Sequence, residues 1–143
     1  MRLALQTDYA LRTLMYLASR PGRAQVASVA GFFRISTPHV AKVVNLLARR
    51  GYVRSIRGVG GGIELARPAS QIRIGEIVQA FEGNTHLLEC VGTHDVCVIQ
   101  RHCKLRGVFA QAERLQMDYL NSVYLSDVLP VDAPPQPELI EVS

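Results

Sequence analysis

Three cysteines lie within one 14-residue window of this 143-residue chain, and the rest of the sequence contains no other cysteine. Cys90, Cys97 and Cys103 follow the spacing C-x6-C-x5-C. An odd number of thiols leaves one unpaired if a disulfide forms, and there is no C-x-x-C pair to indicate a zinc ribbon or a thioredoxin-like site. The pattern therefore favours a metal or cluster held by three thiolates and one ligand of another kind.

The compartment expected from the sequence agrees with that chemistry. No apolar run reaches the roughly 20 residues of a membrane span, and the first residues lack the long apolar segment of a signal peptide. We therefore expect a cytoplasmic protein without a membrane partner. Because the cytoplasm keeps thiols reduced, metal ligation is favoured over a structural disulfide.

Charge is divided unevenly along the chain. Residues 1–67 contain eleven Lys and Arg against only Asp8 and Glu64, which gives +9, whereas residues 68–143 contain five against ten acids, which gives −5. A basic first half suits the phosphate backbone of a nucleic acid. A solvated basic surface without a ligand would have the same composition.

Helical periodicity predicts three helices in this basic half. The first has Thr7 as its N-cap and ends before Pro21, and a short second helix covers residues 25–33. The third has the clearest boundaries, since Pro38 lies in its first turn and Gly51 follows its end. Two helices joined by a tight turn are typical of a helix-turn-helix unit, whose second helix enters the major groove.

The outward positions of the third helix carry donors and cations, which base edges and phosphates accept. These candidate DNA-binding residues are Thr37, His39, Lys42, Asn45 and Arg49.

The sequence after the third helix changes to the period of a β-hairpin. Residues 52–57 alternate like a strand, a glycine-rich turn follows, and residues 63–65 return. Such a hairpin is typical of a wing. Its turn glycines allow close approach to DNA, and an arginine can enter a narrow minor groove. The candidate contacts here are Arg54, Arg57, Gly60 and Gly61. A phosphate-binding nucleotide loop is excluded because the G-x-x-x-x-G-K-S/T spacing is absent.

The acidic half is predicted to contain a ligand loop and a long helix. A short helix covers about residues 74–81, and residues 84–102 show no clear periodicity but contain three of the four histidines. A longer helix runs from Cys103 to about Ser122. Its apolar residues recur at steps of three and four, which fits either a dimer seam or a face packed on its own domain.

The fold class predicted is mainly α with a small β-hairpin wing: a winged helix-turn-helix plus a long dimerisation helix. Residues 1–67 form the DNA-binding domain, and residues 68–129 form the cluster-binding loop and dimerisation helix. Residues 130–143 are rich in proline and acidic side chains, and we expect a disordered acidic tail.

Several segments together resemble the winged-helix iron–sulfur repressors typified by NsrR, IscR and RirA. The resemblance covers about residues 1–129. It is carried by Met1–Leu3, Thr7–Arg12, Val53–Gly58 with Gly60–Gly62, Pro68–Glu76 and the three cysteines. Within that group the segment Thr7–Arg12 is most similar to the nitric-oxide-responsive members.

The resemblance implies that the three cysteines bind an iron–sulfur cluster, with [4Fe–4S] favoured and [2Fe–2S] possible as its form. It also implies that Asp8 of the partner subunit supplies the fourth ligand. Asp8 near a helix N-terminus would otherwise interact with the helix dipole. His94 and His102 are the alternative fourth ligands.

The function implied is that of a homodimeric repressor that binds a palindromic double-stranded operator and senses nitric oxide through its cluster. The alternatives are a regulator of iron or cluster status, or a zinc or thiol redox regulator on the same fold. An enzyme is not expected, because the sequence shows no Ser-His-Asp, paired-carboxylate or nucleotide motif.

Overall fold

The computed structural model describes residues 2–130. The helices are α1 (Leu5–Ser19), α2 (Val26–Phe33), α3 (Thr37–Arg49), α4 (Ile74–Glu82), α5 (Glu89–Gly92) and α6 (Lys104–Ser122). The strands are β1 (Val53–Ile56) and β2 (Gly62–Leu65). Short 3-10 helices cover Ala69–Gln71, Gln100–His102 and Leu125–Val128. The predicted fold class is confirmed. The predicted tail lies beyond the described residues.

The start of α1 differs from the prediction. Thr7 is not the N-cap, since the helix begins at Leu5 and Thr7 is fully buried within it. Glu82, at the end of α4, accepts hydrogen bonds from Ala4 N at 2.7 Å and from Thr7 Oγ1 at 2.6 Å. A carboxylate 75 residues away thus performs the capping that the sequence pattern assigned to a local side chain.

The helix-turn-helix unit forms as predicted. Arg34 ends α2 in a left-handed conformation, with φ of 56°, and the amide of Ile35 donates to Ala30 O at 2.9 Å. Pro38 lies in the first turn of α3. The inner stripe of α3 enters the core with Val40, Val43, Val44 and Leu47 all buried, which leaves its polar face exposed.

The wing is a two-stranded antiparallel hairpin in which Arg54 lies opposite Glu64 and Ile56 opposite Gly62. Its turn requires glycine, because a Cβ at residue 61 would lie 2.2 Å from the carbonyl oxygen of Ile56. Ala24, in the connection between α1 and α2, forms an antiparallel bridge with Ile63. The wing is therefore paired with the chain that precedes α2.

The chain after the wing returns to the same hydrophobic core. Ile72, Ile77 and Leu125 are fully buried in the cluster that also contains α1 and α3 residues. The amide of Leu125 donates to Ile72 O at 2.8 Å, which ties the end of the described chain beside α4. These contacts join α4 and the end of the described chain to the core that α1 and α3 share, and the cysteine segment runs between α4 and α6.

Helix α6 is 19 residues long, which corresponds to about 28 Å. It approaches α4 closely, because a Cβ at Gly75 would lie 2.0 Å from Asn121 Oδ1. Its apolar stripe faces away from the chain: Leu105, Val108, Leu115 and Tyr119 are 57%, 62%, 60% and 69% exposed. Another face of α6 packs on α4, but the apolar stripe itself is not packed against the described part of the chain, which leaves the dimer seam as the remaining interpretation of the stripe.

Among the helices of residues 2–130, none combines the length and the apolar character needed to cross a membrane.

Candidate functional site

The polar face of α3 is solvent-accessible along its length. All five residues predicted on this face are exposed: Thr37, His39, Lys42, Asn45 and Arg49. Lys42, Asn45 and Arg49 line one groove of about 530 Å³, which is closed by Gln6 and Phe81. The structure therefore brings three of the five side chains to a common concave surface at the outer side of the helix.

His39 is placed somewhat apart from that groove. Its ring lies 6.4 Å from the ring of Tyr9 on α1, in a stacked arrangement with an interplanar angle of 27°. Helix α1 therefore supports the first turn of α3.

The wing exposes both predicted arginines. Arg54 Nη2 lies 3.3 Å from Glu64 Oε1, and the Arg54 side chain is 62% exposed, so this ion pair is open to solvent and weak. Arg57 and Gly60 are exposed, whereas Gly61, in the same turn, is half-buried. The wing thus presents cations beside the α3 surface, with its glycines at the tip.

The cysteines occupy three different local structures. Cys90 is in α5, Cys97 lies in the following loop, and Cys103 is the N-cap residue of α6. All three are free thiols; Cys97 is exposed and the other two are half-buried. Within residues 2–130, no group of three His, Cys, Asp or Glu side chains is close enough to hold a metal ion. The thiolate donor type fits an iron–sulfur cluster, but the single chain does not gather the donors around one point.

Gln100 organises the cysteine segment, and sequence patterning did not single it out. Its side chain is only 7% exposed; Nε2 donates to Cys90 O at 2.9 Å, and Oε1 accepts from Val96 N at 2.9 Å. Arg106 of α6 also donates to Cys90 O, at 2.7 Å. A polar residue in an aperiodic segment gives no local sign of burial, so only the fold reveals this role.

Glu113 anchors the start of the same segment to α6. Its carboxylate accepts from Leu87 N at 2.5 Å and lies 3.0 Å from His86 Nδ1. Burial by itself would raise the pKa of Glu113, but the hydrogen bonds from His86 and Leu87, together with the charge of His86, lower that pKa below its ordinary value. The segment is thus tied to α6 at both Glu113 and Arg106.

The candidate fourth ligands are all accessible. Asp8 lies in the first turns of α1 and makes a two-point ion pair with Arg12, with both contacts at 2.9 Å. His94 and His102 are exposed on the cysteine segment, and His102 directly precedes Cys103. The structure does not bring Asp8 into a metal group with the cysteines of its own chain, so its role as a ligand stays a prediction about a partner subunit.

Comparison with known proteins agrees with this architecture. The family model described as "Rrf2: Iron-dependent Transcriptional regulator" matches residues 3–130. The HTH-type transcriptional regulator NsrR of Shouchella clausii (strain KSM-K16) is 36% identical over 132 residues, which cover 90% of this chain and 89% of that protein.

Solved structures show the same fold. The structure of CymR, described as the global cysteine regulator of B. subtilis, has a TM-score of 0.75 at 23% identity and covers 89% of this chain and 95% of its own. T. potens IscR has a TM-score of 0.70 at 24% identity, with coverage of 89% and 85%. Both structures therefore share the fold of most of this chain.

Proposed function

Because this chain belongs to the Rrf2 family of transcriptional regulators, we propose that it represses transcription as a DNA-binding dimer controlled by an iron–sulfur cluster that responds to nitric oxide. The matching relatives are regulators and not enzymes. The observation that carries the proposal is the exposed basic face of α3 within a winged-helix fold. The family description and the NsrR relative support the iron and nitric oxide parts.

On DNA, α3 lies in the major groove and the wing lies over the adjacent minor groove. An α-helix fits the major groove, where its side chains reach base edges. Lys42, Asn45 and Arg49 share one groove of the protein surface, so they approach the duplex together. Arg54 and Arg57 extend this surface along the wing. Because Arg54 is only weakly paired with Glu64, it can exchange that partner for a phosphate at little cost.

Lys42 tests the DNA-reading role of α3. Replacing it with Ala should weaken DNA binding, and should lower the slope of log affinity against log salt by about 1 for each Lys42 that contacts phosphate. The measurement is a binding titration at several salt concentrations with a duplex selected from a random-sequence pool. Lys104→Ala is the matched control, since Lys104 is the other lysine of the chain and is exposed at the start of α6. Equal affinity and slope for wild type and Lys42→Ala would contradict the proposal.

The dimer forms through the exposed stripe of α6. Four large apolar side chains on one helix face, each more than half exposed, are unusual on a monomer surface and mark an interaction site. A second copy is the natural partner, because a symmetric dimer presents two α3 helices to a palindromic operator. The dimer also allows Asp8 of the partner subunit to reach the cysteine segment.

The cluster is held by Cys90, Cys97 and Cys103, with the partner's Asp8 as fourth ligand and His94 or His102 as the alternatives. Soft thiolates match iron–sulfur clusters, which supply a redox-active and nitric-oxide-reactive iron centre when bound. The chain's own contribution is to orient the segment, since Gln100 and Arg106 fix the backbone at Cys90. Cys97 is the exposed thiol of the three.

Anaerobic purification tests the cluster. We expect a coloured protein that contains iron by native mass spectrometry and loses colour and DNA affinity with nitric oxide. Cys97→Ser should lose iron, whereas Ser126→Ala, an exposed change outside the segment, should retain it. A colourless protein that contains zinc or no metal would support the zinc or thiol redox alternative. A protein whose DNA affinity follows iron supply but not nitric oxide would support the iron-status alternative.

A further inference from the structure

Two side chains from the connection between α1 and α2 bind the tip of the wing. Arg23 Nη1 donates to Gly60 O at 2.9 Å, and Gln25 Nε2 donates to Gly61 O at 3.0 Å. Both carbonyl groups belong to the glycine turn that the sequence predicts to approach DNA. The two donors therefore hold the wing tip from the side of the helix-turn-helix unit.

The backbone between these residues adds a third attachment. Ala24 N donates to Ile63 O at 3.0 Å and Ile63 N donates to Ala24 O at 2.8 Å. The approach is so close that a Cβ at Gly62 would lie 2.7 Å from Ala24 O. Ala24 thus forms a single antiparallel bridge with β2, and we call residues 23–25 the wing latch.

The latch is itself held in place. The guanidinium of Arg20 lies over the ring of Tyr16 at 3.9 Å and over that of Phe32 at 4.6 Å, which joins the end of α1 to α2 just before the latch. Arg23 Nε also lies 3.5 Å from Glu64 Oε2. Arg23 therefore contacts the wing at two points, the carbonyl oxygen of Gly60 and the carboxylate of Glu64.

We propose that Arg23 and Gln25 are positioning residues that set the wing in its DNA-binding orientation without contacting bases themselves. A hairpin of two four-residue strands is marginally stable by itself. Val53 and Ile63 anchor its strands in the core, and the orientation of its tip relative to α3 then depends on what holds the tip. With the latch in place, Arg57 and the tip glycines stand at a fixed position relative to Lys42. This inference rests on the proposed DNA-binding function only for its effect on affinity.

The first test needs no DNA. Amide hydrogen exchange is compared between wild type, Gln25→Leu and Gln79→Leu, the last being an exposed glutamine on α4. Gln25→Leu removes the donor and changes no charge. Loss of one neutral hydrogen bond should speed exchange at Gly61 and Ile63 by about fivefold, while α3 amides and the Gln79→Leu protein exchange as in wild type. Unchanged exchange in the wing, or equal acceleration in α3, would overturn the latch.

The second test measures whether the latch acts through the wing on DNA. Wild type and Gln25→Leu are titrated with a duplex selected from a random-sequence pool and with versions whose outer base pairs, where the wings lie, are trimmed away. Gln25→Leu should bind the full duplex about three- to tenfold more weakly and should differ little from wild type on the trimmed duplex. An equal loss on both duplexes, or no loss on either, would overturn the positioning role.

Conservative replacement separates positioning from bulk structure. Arg23→Lys keeps a donor within reach of Gly60 O and should bind the full duplex nearly as wild type does, whereas Arg23→Met, of similar length without a donor, should bind like Gln25→Leu. Equal binding by Arg23→Lys and Arg23→Met would overturn the role of Arg23. If wild type selects no duplex at all, the proposed DNA-binding function fails, while the exchange experiment still decides whether the latch exists.

Discussion

Replacing Val108 with Ala should weaken the dimer that the α6 stripe is proposed to form. Val108 is 62% exposed in the single chain, and the change removes two methyl groups, each worth about 0.8 kcal/mol when fully buried. Because about six-tenths of the residue is exposed and can be buried by a partner, the two methyl groups would contribute about 1 kcal/mol to association at each copy of the residue. Since a symmetric interface contains two copies, the loss is about 2 kcal/mol, or about a 30-fold rise in the dimer dissociation constant.

The substitution leaves the fold of the single chain intact. Val108 contributes little to the core of its own chain, and Ala has the higher helix propensity, so α6 should be no less stable. Val59→Ala is the matched control, because Val59 is a fully exposed valine at the wing tip. Sedimentation equilibrium over a concentration series gives the three dissociation constants.

Three results would refute this reasoning. A wild-type protein that is monomeric at every concentration would show that the stripe does not associate, and a Val108→Ala protein that dimerises as strongly as wild type would place the interface elsewhere. Equal weakening by Val59→Ala would mean that the effect does not depend on α6.

Two further predictions concern stability. Thr7→Val should destabilise the protein by about 1.5–3 kcal/mol because it removes a hydrogen bond to a charged carboxylate. Thr13→Val is the control: Thr13 is equally buried on the same helix but is bonded to the carbonyl oxygen of Tyr9, so its replacement should cost less. Equal losses of the free energy of unfolding in urea would contradict the role of Glu82. Because the folded-state pKa of Glu113 is lowered, its contribution to stability is present above the unfolded-state pKa and is lost as the pH falls through the folded-state value. Glu113→Gln should therefore reduce the loss of unfolding free energy between neutral and acidic pH. An unchanged pH dependence would show that the ion pair with His86 contributes nothing.

The parts of the fold that were predicted correctly depend on local signals. The boundaries of α3 follow from Pro38 in its first turn and Gly51 after its end, and the hairpin follows from a change of period around a glycine turn. In both cases the residues that determine the structure are neighbours in sequence, so steric and hydrogen-bonding preferences act without help from the rest of the chain.

The parts that were missed depend on partners distant in sequence. Thr7 has the side chain of a helix cap, but its partner is Glu82, which only the packing of α4 against α1 supplies. Gln100 lies in a segment without periodicity, and its burial results from the backbone carbonyl groups that surround it after folding. No local pattern distinguishes such a residue from a solvated polar side chain.

The sequence by itself determined which chemistry this protein carries: a polar, basic face on α3, a glycine-tipped wing and three thiols in one segment. These depend on residue type and spacing, which the chain contains before it folds. Only the tertiary structure decided how these parts are held. It placed Arg23 and Gln25 at the wing tip, 37 and 36 residues from their acceptors, and turned the stripe of α6 outward. The physical reason is that a contact between distant residues forms only when the common core brings their backbones together, and that geometry is a property of the whole packed chain.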